Sequence, residues 1–180
     1  MKRIEVIIGG FGGQGTLLAG TILGRAAVFD GKKVVQTRSY GAEARGGAAR
    51  SEVIISDEDI DYPLVIEADA LIAMSQLALN QYIVRTKTEG TVIIDEDLVK
   101  DIPKKNVRLV KIPATKIASE ELKSPIVANV LMMGALTALI GIVGRESLAK
   151  SIEFNVPTGT EKINLEALSK GLKLAESLKR

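Results

Sequence analysis

Ile4-Glu5-Val6-Ile7-Ile8-Gly9-Gly10-Phe11-Gly12-Gly13-Gln14-Gly15-Thr16 runs from β-branched residues into a glycine-rich turn. Ile4, Val6, Ile7 and Ile8 have the stiff side chains of a buried strand, which is expected to stop where the glycines begin. From Thr16 onward Leu17, Leu18, Ile22, Leu23, Ala26 and Ala27 recur with helical spacing. Strand, glycine turn and helix thus follow one another as they do in βαβ folds. Gly10, Gly12 and Gly15 fit G-x-G-x-x-G, in which residues without Cβ admit positive φ, close approach of a ligand to the backbone and close packing of helix on strand. The helix start then offers unpaired N–H groups and a positive dipole end to a phosphate or carboxylate. Gly10, Gly12, Gly13, Gln14, Gly15 and Thr16 are therefore candidate cofactor-binding residues.

A dinucleotide site of this kind also needs an acidic residue at the end of the second strand to hold the ribose hydroxyls. Here that strand, Lys33-Val34-Val35-Gln36-Thr37-Arg38, ends in Gln, Thr and Arg. NAD is disfavoured accordingly. A Walker A loop is excluded because no Lys-Ser or Lys-Thr follows the glycines. The plain alternative is that the glycines serve only a tight turn.

Composition narrows the chemistry. With 180 residues the chain supports one core, and residues 1–180 read as a single domain. The 24 basic and 22 acidic residues leave a net charge of +2, and aromatic residues make up 3%, so neither an electrostatic footprint nor stacking platforms point to nucleic acid. Cysteine and histidine are absent, which removes thiolate nucleophiles, iron–sulfur ligands, most zinc sites and the commonest general base. Met1-Lys2-Arg3 leads straight into the first strand without a signal-peptide pattern, and a cytoplasmic location is expected. Residues 126–143 carry no charge, but Asn129, Thr137 and the small residues Gly134, Ala138 and Gly141 suit a helix buried between a sheet and another surface better than a membrane span.

Further along, Arg38-Ser39-Tyr40-Gly41-Ala42-Glu43-Ala44-Arg45-Gly46-Gly47-Ala48-Ala49-Arg50 shows no apolar face, and the strand 51–56 follows at once. An antiparallel return is at least as reasonable as a parallel crossover, which predicts a mixed sheet. Long loops rich in Gly and Arg in compact domains usually carry function, and the guanidinium fork suits carboxylates and phosphates. Arg38, Arg45 and Arg50 are candidates for anion contact; the alternative is that Glu43 pairs with an arginine and the loop seats a neighbouring subunit. The acidic run Asp57-Glu58-Asp59-Ile60-Asp61-Tyr62-Pro63 lacks EF-hand spacing and reads as a solvated turn. Strands are expected at 70–74, 91–95 and 107–112, and helices at 76–84 (capped by Ser75), 114–122, 126–143, 146–153 and 162–178. The whole describes a three-layer α/β/α sandwich, Rossmann-like, with a mostly parallel mixed sheet and a ligand face at the strand C-terminal ends.

Taken together, Gly10-Phe11-Gly12-Gly13-Gln14-Gly15 and Ser39-Tyr40-Gly41-Ala42-Glu43-Ala44-Arg45-Gly46-Gly47 resemble the gamma subunit of the 2-oxoacid:ferredoxin oxidoreductases, also found as an internal domain of single-chain pyruvate:ferredoxin oxidoreductase. Ala19-Gly20, Ser56-Asp57 with Ile60 and Pro63, Ala73-Met74 with Gln76, and Asn129 with Gly134-Ala135 extend the likeness over nearly the whole chain. The resemblance implies a share in a complex that decarboxylates a 2-oxoacid on thiamine diphosphate, passes electrons through iron–sulfur clusters to ferredoxin and transfers the acyl group to coenzyme A. It implies alpha, beta and ferredoxin-like delta partners, with thiamine diphosphate, magnesium and the clusters held there: this chain has no cysteine and no Gly-Asp-Gly segment. By the same resemblance 2-oxoglutarate is favoured as substrate over a branched-chain 2-oxoacid or pyruvate. No catalytic or metal residue is expected on this chain. Tyr40, Gly41, Glu43, Arg45, Gly46 and Gly47 join the glycine turn as candidate cofactor-binding residues, shaping the active site and a coenzyme A channel. The competing reading is a stand-alone nucleotide-binding or regulatory module, dimerising through the apolar helix.

Overall fold

Runs of consecutive β-branched residues, such as Val6-Ile7-Ile8 and Val53-Ile54-Ile55, form strands with two buried faces. In the computed structural model, which describes residues 3–40 and 48–178, these strands are Arg3–Phe11 (β1), Lys33–Ser39 (β2), Ala48–Ser56 (β3), Ala68–Ala73 (β4), Thr86–Asp95 (β5) and Arg108–Ile112 (β6). They make one sheet in the order β2-β3-β1-β4-β5-β6. Neighbours β1/β4, β4/β5 and β5/β6 are parallel, whereas β3 is antiparallel to both β1 and β2. The sheet is thus mixed and mostly parallel, as expected, and β2 and β3 form the hairpin return.

The pleat sorts side chains to opposite faces. Val6, Ile8, Val53, Ile55, Ile72 and Ile93 face one core, while Ile7, Ile54, Leu71, Val92 and Ile94 face the other. The first core is covered by helices Thr16–Phe29 (α1), Ala128–Ile140 (α4), Arg145–Asn155 (α5) and Glu161–Ser177 (α6). Among the described residues only Gln76–Tyr82 (α2) and the 3-10 turn Ile83–Arg85 supply helix to the second. The sandwich has three layers, one of them thin. Ser75 caps α2 as anticipated, its Oγ accepting from the Ala78 N–H at 3.1 Å.

Several local expectations change. β1 does not stop at the glycines: it continues through Gly9 and Gly10 to Phe11, because antiparallel pairing with β3 runs on to Gly10↔Ala49 and Phe11↔Ala48. Gly9 is required by packing, since a Cβ there would lie 2.8 Å from the Tyr82 ring. The helix expected at 114–122 is one turn, Ala114–Lys116 (α3), that widens into a π turn over Ile117–Glu121. The acidic run is a turn whose Asp57 and Asp59 pair with Lys32 and Lys33.

The uncharged stretch begins with a 3-10 turn, Pro125–Val127, and continues as α4, whose residues 128–139 are all buried within the chain. Each large aliphatic side chain buried here contributes about 1.5–3 kcal/mol, so the helix is held by its surroundings on every side. Residues 128–139 of α4 therefore offer no outward face to a homodimer. Among the described residues no helix is long and apolar enough to cross a membrane.

Candidate functional site

The glycine turn lies at the topological switch point of the sheet. From β1 the chain passes through α1 on the first face to β2, and from β4 it passes through α2 on the second face to β5. The two connections leave β1 and β4 in opposite directions and open a crevice at their C-terminal ends, where ligands of open α/β sheets bind. In this chain a groove of about 350 Å³ lies there, with Gly13, Gln14 and Met74 on one wall and Leu98, Thr115 and Ile126 among the residues opposite.

The turn's residues divide into those that build it and those that face outward. Gln14 braces the crevice: its Oε1 accepts from the Phe11 N–H at 2.6 Å, and its Nε2 donates to the Met74 carbonyl at 2.8 Å. Gly10 makes room for that amide, because a Cβ there would stand 2.5 Å from Gln14 Oε1 and 2.9 Å from Thr16 Cγ2; Thr16 itself is buried. Gly15 has φ +72° and caps α1 in the left-handed region, and a Cβ on it would lie 2.2 Å from Asn129 Nδ2. Asn129 in turn donates to the Gly15 carbonyl at 3.0 Å, tying the turn to α4. Gly12 and Gly13 are different. Among the described residues a Cβ on either meets nothing within 4 Å, so these two present bare backbone outward. Beside them α1 starts with no side-chain cap and no acidic residue in its first turn, which leaves its positive end uncompensated by its own side chains.

The second motif reaches the same rim. Tyr40, at the end of β2, is exposed, and Ala48 opens β3 directly opposite Phe11. Gly41, Glu43, Arg45, Gly46 and Gly47 lie outside the described residues. The flanking arginines are not brought together. Arg38 is on the α1 face, donating to Thr21 Oγ1 at 2.8 Å and to Gln36 Oε1 at 3.2 Å. Arg50 is on the opposite face, 3.1 Å from Glu52 and above the Tyr82 ring at 5.6 Å.

The sheet order also explains the missing ribose carboxylate. In a dinucleotide fold β2 lies directly beside β1, whereas here antiparallel β3 intervenes. The end of β2 is thereby displaced from the glycine turn by a further strand spacing of about 4.8 Å, and Gln36 bonds Ser51 Oγ at 2.7 Å instead of facing a ligand.

Asp95, at the end of β5, is a site component that the sequence does not flag. It is fully buried; its Oδ2 accepts from the Thr115 hydroxyl at 2.6 Å and N–H at 3.1 Å, and its Oδ1 from the Asp97 N–H at 3.2 Å. Desolvation outweighs these hydrogen bonds and raises its pKa above the ordinary carboxyl value. The folded state therefore holds this proton more tightly than the unfolded chain, so stability contributed by protonated Asp95 is lost as pH rises from the ordinary Asp value to the raised one. Asp95→Asn should remove that part of the slope. Urea unfolding near pH 4 and at neutral pH should show wild type losing stability relative to the variant as pH increases; parallel curves would refute the assignment.

The glycine turn, its brace from Gln14 to Met74 and its tie to Asn129 join regions far apart in the chain, and likeness to known proteins extends over all of them. The model of the family described as pyruvate ferredoxin/flavodoxin oxidoreductase matches residues 5–174. 2-Oxoglutarate synthase subunit KorC of Methanocaldococcus jannaschii is 55% identical over 179 residues, covering 98% of this chain and 96% of that protein. Ketoisovalerate oxidoreductase subunit VorA of Methanothermobacter marburgensis is 35% identical over 94% of this chain, which there corresponds to 36% of a longer polypeptide. Among solved structures, the gamma subunit of keto/oxoacid ferredoxin oxidoreductase from Geobacter sulfurreducens superimposes with a TM-score of 0.90 at 38% identity, covering 98% of both chains. With the family model matching residues 5–174 and a relative 55% identical over nearly the full length of both chains, this protein belongs to the pyruvate ferredoxin/flavodoxin oxidoreductase family.

Proposed function

We propose that the chain is the gamma subunit of a 2-oxoglutarate:ferredoxin oxidoreductase, and that its glycine turn forms a wall of the path by which coenzyme A reaches the active site. The observation that carries the reading is the outward-facing backbone of Gly12 and Gly13 at the uncapped start of α1, on the same rim as Tyr40 and Ala48. Coenzyme A carries a pyrophosphate and a 3′-phosphate, which suit amide donors and a helix N-terminus. The 55% identity to a subunit named for 2-oxoglutarate, against 35% to one named for ketoisovalerate, supports the choice of substrate.

Thiamine diphosphate and magnesium supply the decarboxylation chemistry, and iron–sulfur clusters take the electrons onward to ferredoxin. A chain without cysteine or histidine has no donor set for a cluster. Among its described residues no three acidic side chains are grouped to hold an ion. Those groups reside on alpha, beta and delta companions. This chain orients coenzyme A by backbone donors and excludes water from the crevice. Phe11, Leu98 and Ile126 are exposed apolar side chains near this end of the sheet, and a companion subunit covers them in the complex.

Gly12→Ala in the assembled enzyme is the test. A Cβ at Gly12 has free space, so folding should change by less than about 0.5 kcal/mol, while the apparent KM for coenzyme A should rise several-fold with kcat little altered. Arg45→Ala should likewise raise that KM. An unchanged KM in both variants would remove coenzyme A from this rim.

A further inference from the structure

At the far edge of the sheet β6 has, among the described residues, a neighbour on one side only. The Glu96 N–H bonds the Ile112 carbonyl, which directs Ile112, and with it Val110 and Arg108, toward β5; the N–H and C=O groups of Leu109 and Lys111 therefore point outward. Among the described residues no other backbone group bonds them. Beside this edge runs a groove of about 530 Å³, with Val110, Pro113, Leu174 and Leu178 as its apolar lining and Arg108, Lys111 and Glu96 as its charges. Among the described residues neither Arg108 nor Lys111 has an ion pair or a side-chain hydrogen bond, and both are exposed.

We infer that this edge receives an extended acidic segment of a companion subunit, which adds a strand to the sheet. The inference rests on the reading of the chain as a subunit of a larger complex. Main-chain pairing with Leu109 and Lys111 supplies affinity, the leucine-lined groove takes alternate side chains, and carboxylates meet Arg108 and Lys111. A second copy of this chain is the wrong occupant: two β6 strands paired edge to edge would bring four cations into one short ladder, and like charges across strands repel. The same basic residues that guard the edge against self-pairing admit a strand of opposite charge.

Hydrogen exchange on the isolated chain and on the assembled complex tests this directly. The Leu109 and Lys111 amides should exchange freely in the isolated chain and slow by about 100-fold or more on assembly. The pair Arg108→Glu and Lys111→Glu should weaken assembly about ten-fold or more, while the equal charge change Lys104→Glu with Lys162→Glu, on exposed residues elsewhere, should leave it intact. A complex that forms with companions bearing the clusters yet leaves both amides fast would overturn the inference and spare the subunit reading. Equal weakening by both pairs would also overturn it, as would protection of these amides in a dimer of the isolated chain. Failure of the unaltered chain to assemble would overturn inference and reading together.

Discussion

Gly171→Ala should destabilise the protein by about 3–4 kcal/mol, at or above the top of the range for overpacked cores. Helix propensity alone argues the opposite, since alanine in a helix interior is favoured over glycine by about 1 kcal/mol. The decision falls to sterics. A Cβ at Gly171 would lie 2.0 Å from the Leu131 carbonyl oxygen and 2.9 Å from its carbon, while a Cβ at the facing Gly134 would lie 2.6 Å from the Leu168 carbonyl oxygen. These obstacles are backbone atoms, which cannot rotate away as a side-chain tip can. Nor can α4 retreat, because residues 128–139 are buried on every side. The helices must separate, and the leucines and methionines between them lose contact together. Urea unfolding of the isolated chain gives the sign at once: a stabilised variant would mean that the crossing is looser than its geometry states.

That crossing shows what a sequence conceals. Gly134 and Gly141 both read as small-residue interruptions in an apolar stretch, yet they do different work. Gly141 ends α4 with φ +63°, whereas Gly134 is the contact point with α6. Composition cannot separate a helix stop from a helix crossing, because the distinction depends on what lies 37 positions downstream, at Gly171. The strands were legible for the opposite reason: with both faces covered, a central strand is written locally as a short continuous run of apolar residues, as in Val6-Ile7-Ile8 and Val92-Ile93-Ile94.

The candidate site divides along the same line. The glycine turn announces itself, and so does the lack of an acidic residue at the end of β2, but the cause of that lack, β3 inserted between β1 and β2, is a matter of topology. Gln14 reads as a ligand from its place in the motif, and its role as a brace was not legible, because its partner is the carbonyl of Met74, a group present in every residue. Asn129 left a better trace. A lone amide in an otherwise apolar helix needs a buried partner, and the partner is the Gly15 carbonyl. The Asp95 clamp left none, since nothing local links a strand-end carboxylate to Thr115.

Glu52→Ala should cost about 2–3 kcal/mol, though it removes only one solvent-shielded carboxylate. Glu52 is 4% exposed and stands between two guanidinium groups, 2.7 Å from Arg85 and 3.1 Å from Arg50. Without it two cations face each other beside Tyr82 with no counter-charge. Both arginines are about 30% exposed, so water relieves part of the penalty, which places the expected cost below that of breaking a fully buried pair. The Arg85 guanidinium also donates to the Val65 carbonyl, and its displacement would loosen the segment leading into β4. Glu52→Gln separates the contributions: it keeps volume and one acceptor but lacks the charge, and should lose about half as much. For a chain of this length, 2–3 kcal/mol corresponds to a fall in Tm of about 4–12 °C. Arg50 leads directly back to Ala48 and the rim, so the alanine variant should also raise exchange rates of the amides at the start of β3. A Tm within about 2 °C of wild type would show that the two arginines find other partners, and that this ionic triad does not hold the glycine turn and the hairpin in register.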